Sequence, residues 1–355
     1  MKLRETDSAT LDILRLIMCL AVICLHAYTL DDKYGFLLEM PIYMHTTYVT
    51  AVQYGRLGVP AFFVVSGFLF FYRYAPTLEC YRHKLRSRIR TLLVPYIVWT
   101  LMLLAAIYVL ETIPAIRAMF NTGKILVHDF TVKDFLQAFW ANPKNGYPFV
   151  LQFWYLRNLM VVAICSPLVY AVIKYMRIYA VIALCAAWFM GLTFSDTLFF
   201  FSLGAWFGIN GVNIVEWTRR HCRMIMGFFA VTFVADNILL GNGIIGESVH
   251  NAMLISGVPA AMNVVAYLVE NGKLGDMKFL VSATFFIYAA HYPLMRFIRL
   301  LTIKLLDRSS DVQMTAAYFL AIAVDLLIVV TAYWVMHRVA PRVLRIITGG
   351  RAIPS

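Results

Sequence analysis

A chain of 355 residues that is 61% hydrophobic and only 14% charged, with a mean hydropathy of +0.74, is too apolar for a soluble globular protein, whose charged share is about 25%. The formal charge of +12 does not point to nucleic acid, because the basic residues sit in short clusters between apolar runs, where they orient a chain in a bilayer. The six cysteines show no Cys-x-x-Cys pairing and support neither a thiolate zinc site nor a disulfide framework.

A helix needs about 20 mostly apolar residues to cross the hydrocarbon core. Such runs fall at 11–30, 50–72, 89–110, 150–173, 177–194, 196–214, 223–240, 250–269, 279–303 and 314–336. They predict an all-α polytopic membrane bundle of about ten transmembrane helices, forming one domain over residues 1–355. The first run has no small-residue cleavage site after it and reads as a retained helix, not a signal peptide. One side of the bundle collects the N-terminus, 73–88, the Lys174/Arg177 turn, Arg219, Arg220 and Arg223, Lys273, Lys278, and the tail from Arg338 to Arg351. That side carries 18 Lys and Arg against seven on the other, so both termini are predicted to be cytoplasmic. The stretch 111–149 then lies outside, and Phe135, Phe139 and Trp140 within it suit a short interfacial helix.

Several ionisable residues fall where lipid would exclude them, and such groups usually face a bundle interior or a watery cavity. In the first run, LDILRLIMCLAVICLHAY, Arg15 and His26 stand eleven positions apart. At about 100° per residue this spacing ends about 20° past three full turns, so both side chains share a face, roughly 16 Å apart along the axis. Asp12 and Cys19 lie on the same stripe. Histidine titrates near neutrality and can act as a base or transient acyl carrier, whereas arginine can hold phosphate or carboxylate. The second run, YGRLGVPAFFVVSGFLFF, has Arg56 at its outer end and Ser66-Gly67 inside an aromatic stretch, as close helix packing or a cavity wall would want. HKLRSRIRTLLVPY brings Arg86, Arg88 and Arg90 to the cytoplasmic edge of the third run, as an orientation signal or a phosphate clamp. FWYLRN places Trp154 and Arg157 in the outer part of the fourth. FFIYAAHYPLMRF puts His291 mid-helix, either as an interhelical hydrogen-bond partner or in a direct functional role, with Pro293 freeing a backbone carbonyl nearby. Arg90, Arg299 and Arg15, nearer helix ends, can also snorkel to the interface.

Taken together these stretches resemble the membrane-bound acyltransferase 3 family, whose members O-acylate cell-surface carbohydrates. The likeness rests on R-x10-H at Arg15 and His26, GVP-x-FF-x2-SG at 58–67, the basic approach to VPY at 83–96, W-x-L at Trp154–Leu156, and IY-x2-H-x-P at 287–293. One departure stands out: where the family often shows R-x-x-R at the edge of the third helix, Arg88 is followed at that spacing by Thr91. The resemblance implies acetyl transfer from cytoplasmic acetyl-CoA to a surface polysaccharide or lipid-linked sugar, in a bacterial cytoplasmic (inner) membrane, with no metal required. It implies His26 as general base or acyl carrier and Arg15 as the group that positions thioester or cofactor. Arg86, Arg88 and Arg90 would grip the CoA phosphates, and Arg56, Ser66, Trp154, Arg157 and His291 would line the acceptor side. The alternative is a transporter or polysaccharide exporter for an anionic substrate, although the sequence shows neither internal repeats nor paired broken helices.

Overall fold

A computed structural model describes residues 3–28, 32–114, 117, 126–141 and 146–351, apart from the side chains at 32–34, 38 and 293, and among them every regular element is helical. Helix α1 spans Glu5–Ala27, with Glu5 and Asp7 in its first turn, where the helix dipole favours negative charge. Asp7 is tied down by Arg4 at 3.0 Å and by the Asn213 amide at 2.8 Å. After a short 3-10 turn over Asp32–Glu39, α2 (Pro41–Thr47) runs through a π-helical turn, Tyr48–Gly55, into α3 (Gly58–Phe71). The second run thus becomes one helical path beginning at Pro41 instead of at 50, because Asp311 accepts hydrogen bonds from the Ile42 and Tyr43 backbone N–H groups, both at 2.7 Å, and caps it.

The third run is likewise longer than its apolar part. The basic stretch is helical as α4 (Leu78–Arg88) and continues through a π-helical turn, Ile89–Leu93, into α5 (Val94–Leu110). The interfacial helix expected near Phe135 is α6 (Val132–Trp140), begun by a capping box between Thr131 and Asp134. Phe120 and the rest of 118–125 lie outside the described residues. The fourth run breaks at Cys165: α7 (Trp154–Ile164) bends by 65° into α8 (Ser166–Met176), whose first turn holds Pro167. α9 is Ile178–Phe189, α10 is Ser195–Ile209, and a 95° bend leads to α11 (Ile214–Arg220). These two bends correct the expectation of unbroken helices. The bundle closes with α12 (Cys222–Ile238), α13 (Gly243–Glu270), α14 (Lys278–Leu305), α15 (Asp311–Val339) and α16 (Pro341–Ile347).

Among the described residues, five helical stretches are long and apolar enough to cross a membrane, or up to seven if each bent pair is one span. Large apolar side chains on α5, α8, α12 and α15, among them Leu101, Leu168, Val231 and Leu327, face outward, as lipid contact requires. The tightest internal packing joins α3 to α10. A Cβ at Gly67 would stand 2.1 Å from the Phe201 carbonyl oxygen, and one at Gly204 only 1.9 Å from that of Val64. Small residues at such crossings let backbones touch, so Gly67 meets the packing reading of the Ser66-Gly67 pair.

Candidate functional site

His26 lies in the last turn of α1, and its ring faces α14. The ring centroid is 5.3 Å from that of His291 and 4.8 Å from that of Tyr292, which meets it edge-on. The two helices keep a constant register: one face of α1 also brings the Cys19 thiol to the Thr284 carbonyl at 3.6 Å. His291 is fully buried, and its Nδ1 is 3.1 Å from the Ile287 carbonyl oxygen. A carbonyl only accepts, so Nδ1 carries the proton and Nε2 presents its lone pair. That Nε2 is buried and has no hydrogen-bond partner among the described residues. Two imidazoles that the sequence places 265 positions apart therefore form one site.

A wall of rings runs from this pair toward the other end of α1. Tyr288 lies 6.3 Å from His291, stacks 6.1 Å from Phe153 and stands edge-on 6.1 Å from Tyr155, which in turn lies 5.6 Å from Phe62. The Tyr288 hydroxyl donates to the Gln152 carbonyl at 2.5 Å, while the Gln152 amide donates to Ala289 at 3.0 Å, locking the start of α7 to α14. Ser66 and Tyr155 share a hydrogen bond at 3.3 Å, so the serine serves this wall while its glycine neighbour serves packing.

Beyond Tyr155 the charges begin. Arg15, Arg88 and Arg351 are close enough to one another and to Tyr155 for their charges to interact. Arg15 also pairs with Asp12 at 3.0 Å. Arg88 turns inward, with its guanidinium 5.7 Å from the Phe70 ring centroid, while Arg86 and Arg90 on either side of it are exposed. The candidate anion-binding arginines are thus split by geometry. Arg56 is exposed at the break before α3, Trp154 is partly buried against the core, and Arg157 donates to the Trp140 and Gly146 carbonyls at 2.7 and 3.0 Å. Those three do not join the histidine pair.

Sequence reasoning missed two residues. Arg299 does not snorkel: it is 6% exposed, donates from Nε to the Ala27 carbonyl at 2.9 Å and from Nη2 to the Tyr43 hydroxyl at 2.5 Å. It thereby holds the end of α1 one residue beyond His26, with positive charge where the helix dipole is negative. Arg299→Met is expected to misplace His26 and cut activity about tenfold or more with substrate binding little changed, read as kcat against KM. Arg351 comes from the tail beyond α16 and looked in sequence like one more orientation charge. Burial, and then the Arg15 and Arg88 charges, push its guanidinium down to about 9. A further buried network, in which Asp236 accepts from the Gln53 amide at 2.9 Å and pairs with His250 Nδ1 at 3.1 Å, joins the π-helical turn before α3 to α12 and α13.

Residues 8–335 match a family described as an acyltransferase domain. The chain is similar to the succinoglycan biosynthesis protein ExoH of Rhizobium meliloti (strain 1021), with 26% identity over 312 residues that cover 83% of this chain and 80% of that protein. No solved structure matches the chain.

Proposed function

The chain belongs to the acyltransferase 3 family, and from that premise we propose that it transfers an acetyl group from cytoplasmic acetyl-CoA to a hydroxyl of an extracytoplasmic or lipid-linked carbohydrate. The observation that carries the reading is the pairing of two imidazoles at one end of α1 with converging arginines at the other. The carbohydrate acceptor is supported by the succinoglycan role in the name of the relative. Ten crossings with both termini cytoplasmic fit the ten apolar runs and the Lys and Arg bias; this topology in a bacterial inner membrane sets the arginines on the donor side and His26 on the acceptor side.

In the reaction, the acceptor hydroxyl attacks the thioester carbonyl, a C–O bond forms and the C–S bond breaks. His26 takes the hydroxyl proton and the departing CoA thiolate receives it. His291, whose ring lies against that of His26 and whose Nε2 keeps a lone pair, can share that proton or hold the acceptor hydroxyl. Ser66 and the rings around Tyr155 line the route between the ends and keep water from the thioester. Arg88 and Arg15 hold donor phosphates, whereas Trp154 and Arg157, the latter bound to the Trp140 and Gly146 carbonyls, shape the acceptor side.

Purified protein given acetyl-CoA and acceptor glycan should release CoA, and the surface glycan of cells lacking the protein should be lighter by one acetyl group per modified residue. An unchanged glycan mass together with no CoA release removes the reading. The two bent helix pairs favour one rival, a transporter of anionic substrates, which predicts substrate flux without acetyl-CoA.

A further inference from the structure

Three guanidiniums with so little compensating negative charge need an explanation. Arg15 has Asp12, itself partly exposed, but among the described residues neither Arg88 nor Arg351 has a carboxylate within ion-pair distance. Like charges gathered beside an aromatic wall repel, and an anion between them would relieve that repulsion.

The path that brings Arg351 there is built, not incidental. After α16 the chain turns through Gly349 and Gly350, both in the left-handed region at φ of 72° and 71°. Gly349 lies flat on the π-helical turn: a Cβ there would stand 2.6 Å from the Thr91 carbonyl oxygen and 2.8 Å from its Cα. Trp99 pins the preceding turn by donating to the Ile347 carbonyl at 3.0 Å. Residue 95 is proline, so the Thr91 carbonyl lacks its usual helical N–H partner four residues on. Arg351 Nη1 supplies a donor to that carbonyl at 3.4 Å and also donates to Thr348, while its Cζ lies 4.1 Å from the Phe285 ring centroid. Thr91 is three residues after Arg88, on the same side of the helix.

We infer that Arg351, set in place by the Gly349-Gly350 turn, is a direct arm of an anion site shared with Arg88 and Arg15, and that the site takes the phosphates of a nucleotide-bearing acyl donor. This rests on the acyltransferase reading above. The guanidinium from the tail occupies the neighbourhood of residue 91, where the family pattern would place a second arginine and this chain has threonine. An arginine brought by tertiary contact substitutes for one absent from the helix.

The test is equilibrium binding of coenzyme A to the full-length protein in nanodiscs, with inorganic pyrophosphate as a second probe. Arg351→Ala is expected to weaken coenzyme A binding about tenfold or more, as loss of a charge-assisted hydrogen-bonding partner does. Arg351→Lys should recover part of the loss, because charge returns without the planar fork. Gly349→Ala, which leaves Arg351 intact but lifts the turn off Thr91, should lose affinity in the same way, and Arg220→Ala, at the exposed end of α11, should not. Thermal melting in the absence of ligand separates these effects from misfolding. Binding by Arg351→Ala and Gly349→Ala within twofold of the wild type overturns the inference while leaving the enzyme reading intact. If the wild type binds pyrophosphate but not coenzyme A, and Arg351→Ala loses it, the anion site stands and the donor assignment falls. A wild type that binds neither probe overturns the site itself.

Discussion

Replacing His26 with alanine is expected to lower acyl transfer by about 10²- to 10⁴-fold, the range for loss of a positioned general base, while the protein still inserts at normal levels. The ring lies against His291 and Tyr292 on a partly buried face, so its loss leaves no large cavity in the packed core. Retained turnover would take His26 out of the mechanism. The same variant distinguishes the two chemical roles when labelled acetyl-CoA is supplied without acceptor. A transient acyl carrier leaves label on the wild-type protein and none on His26→Ala. A base leaves none on either. His291→Phe keeps the ring volume but removes the Nε2 lone pair, so its activity relative to His26→Ala reports how far the two imidazoles act as one unit.

Gly204→Val is expected to abolish the folded state outright. Its first added carbon would fall 1.9 Å from the Val64 carbonyl oxygen and 2.8 Å from the Phe68 nitrogen, both backbone atoms of α3. Neither atom can retreat unless the two helices separate, which undoes the packing that places Ser66 and Phe62. Overpacking of this kind costs more than the about 1–3 kcal/mol typical of a core that can adjust. The measurement is the yield of monodisperse protein in detergent and its melting temperature. Gly227→Ala in α12 is the control, since a Cβ there meets nothing within 4 Å and a mid-helix glycine costs about 0.5–1 kcal/mol relative to alanine. It should melt at the wild-type temperature or slightly above.

The parts of this site that were legible in the sequence are those set by local periodicity. Arg15 and His26 could be placed on one face because both belong to a single helix, and helical pitch alone relates them. Arg88 could be singled out only as one of three neighbouring arginines, since the choice of the one facing inward depends on how α4 packs against α3 and α7. The pairing of His26 with His291 depends on two helices distant in the chain adopting one register, which no spacing encodes. Arg299 and Arg351 were misread for a shared reason: an arginine near a helix end has the same sequence context whether it reaches for water or for a carbonyl. The bend at Cys165 has a cue in Pro167, and the 95° turn after α10 has one in Asn210-Gly211, with Gly211 at a φ of 66° and Asn213 capping α11; what the sequence does not encode is the angle at which either pair of helices meets.

The convergence of Arg15, Arg88 and Arg351 also bears on the pace of turnover. In the proposed reaction their charges would meet the part of the donor that survives transfer, since acetyl-CoA and spent CoA bear identical phosphates. Attraction that is equal before and after transfer raises affinity without lowering the chemical barrier. Spent CoA should therefore compete with acetyl-CoA for the same arginines, with an inhibition constant close to the donor's dissociation constant. The ratio of acylated to free coenzyme in the cell, more than the amount of either, would then govern how fast the glycan is decorated.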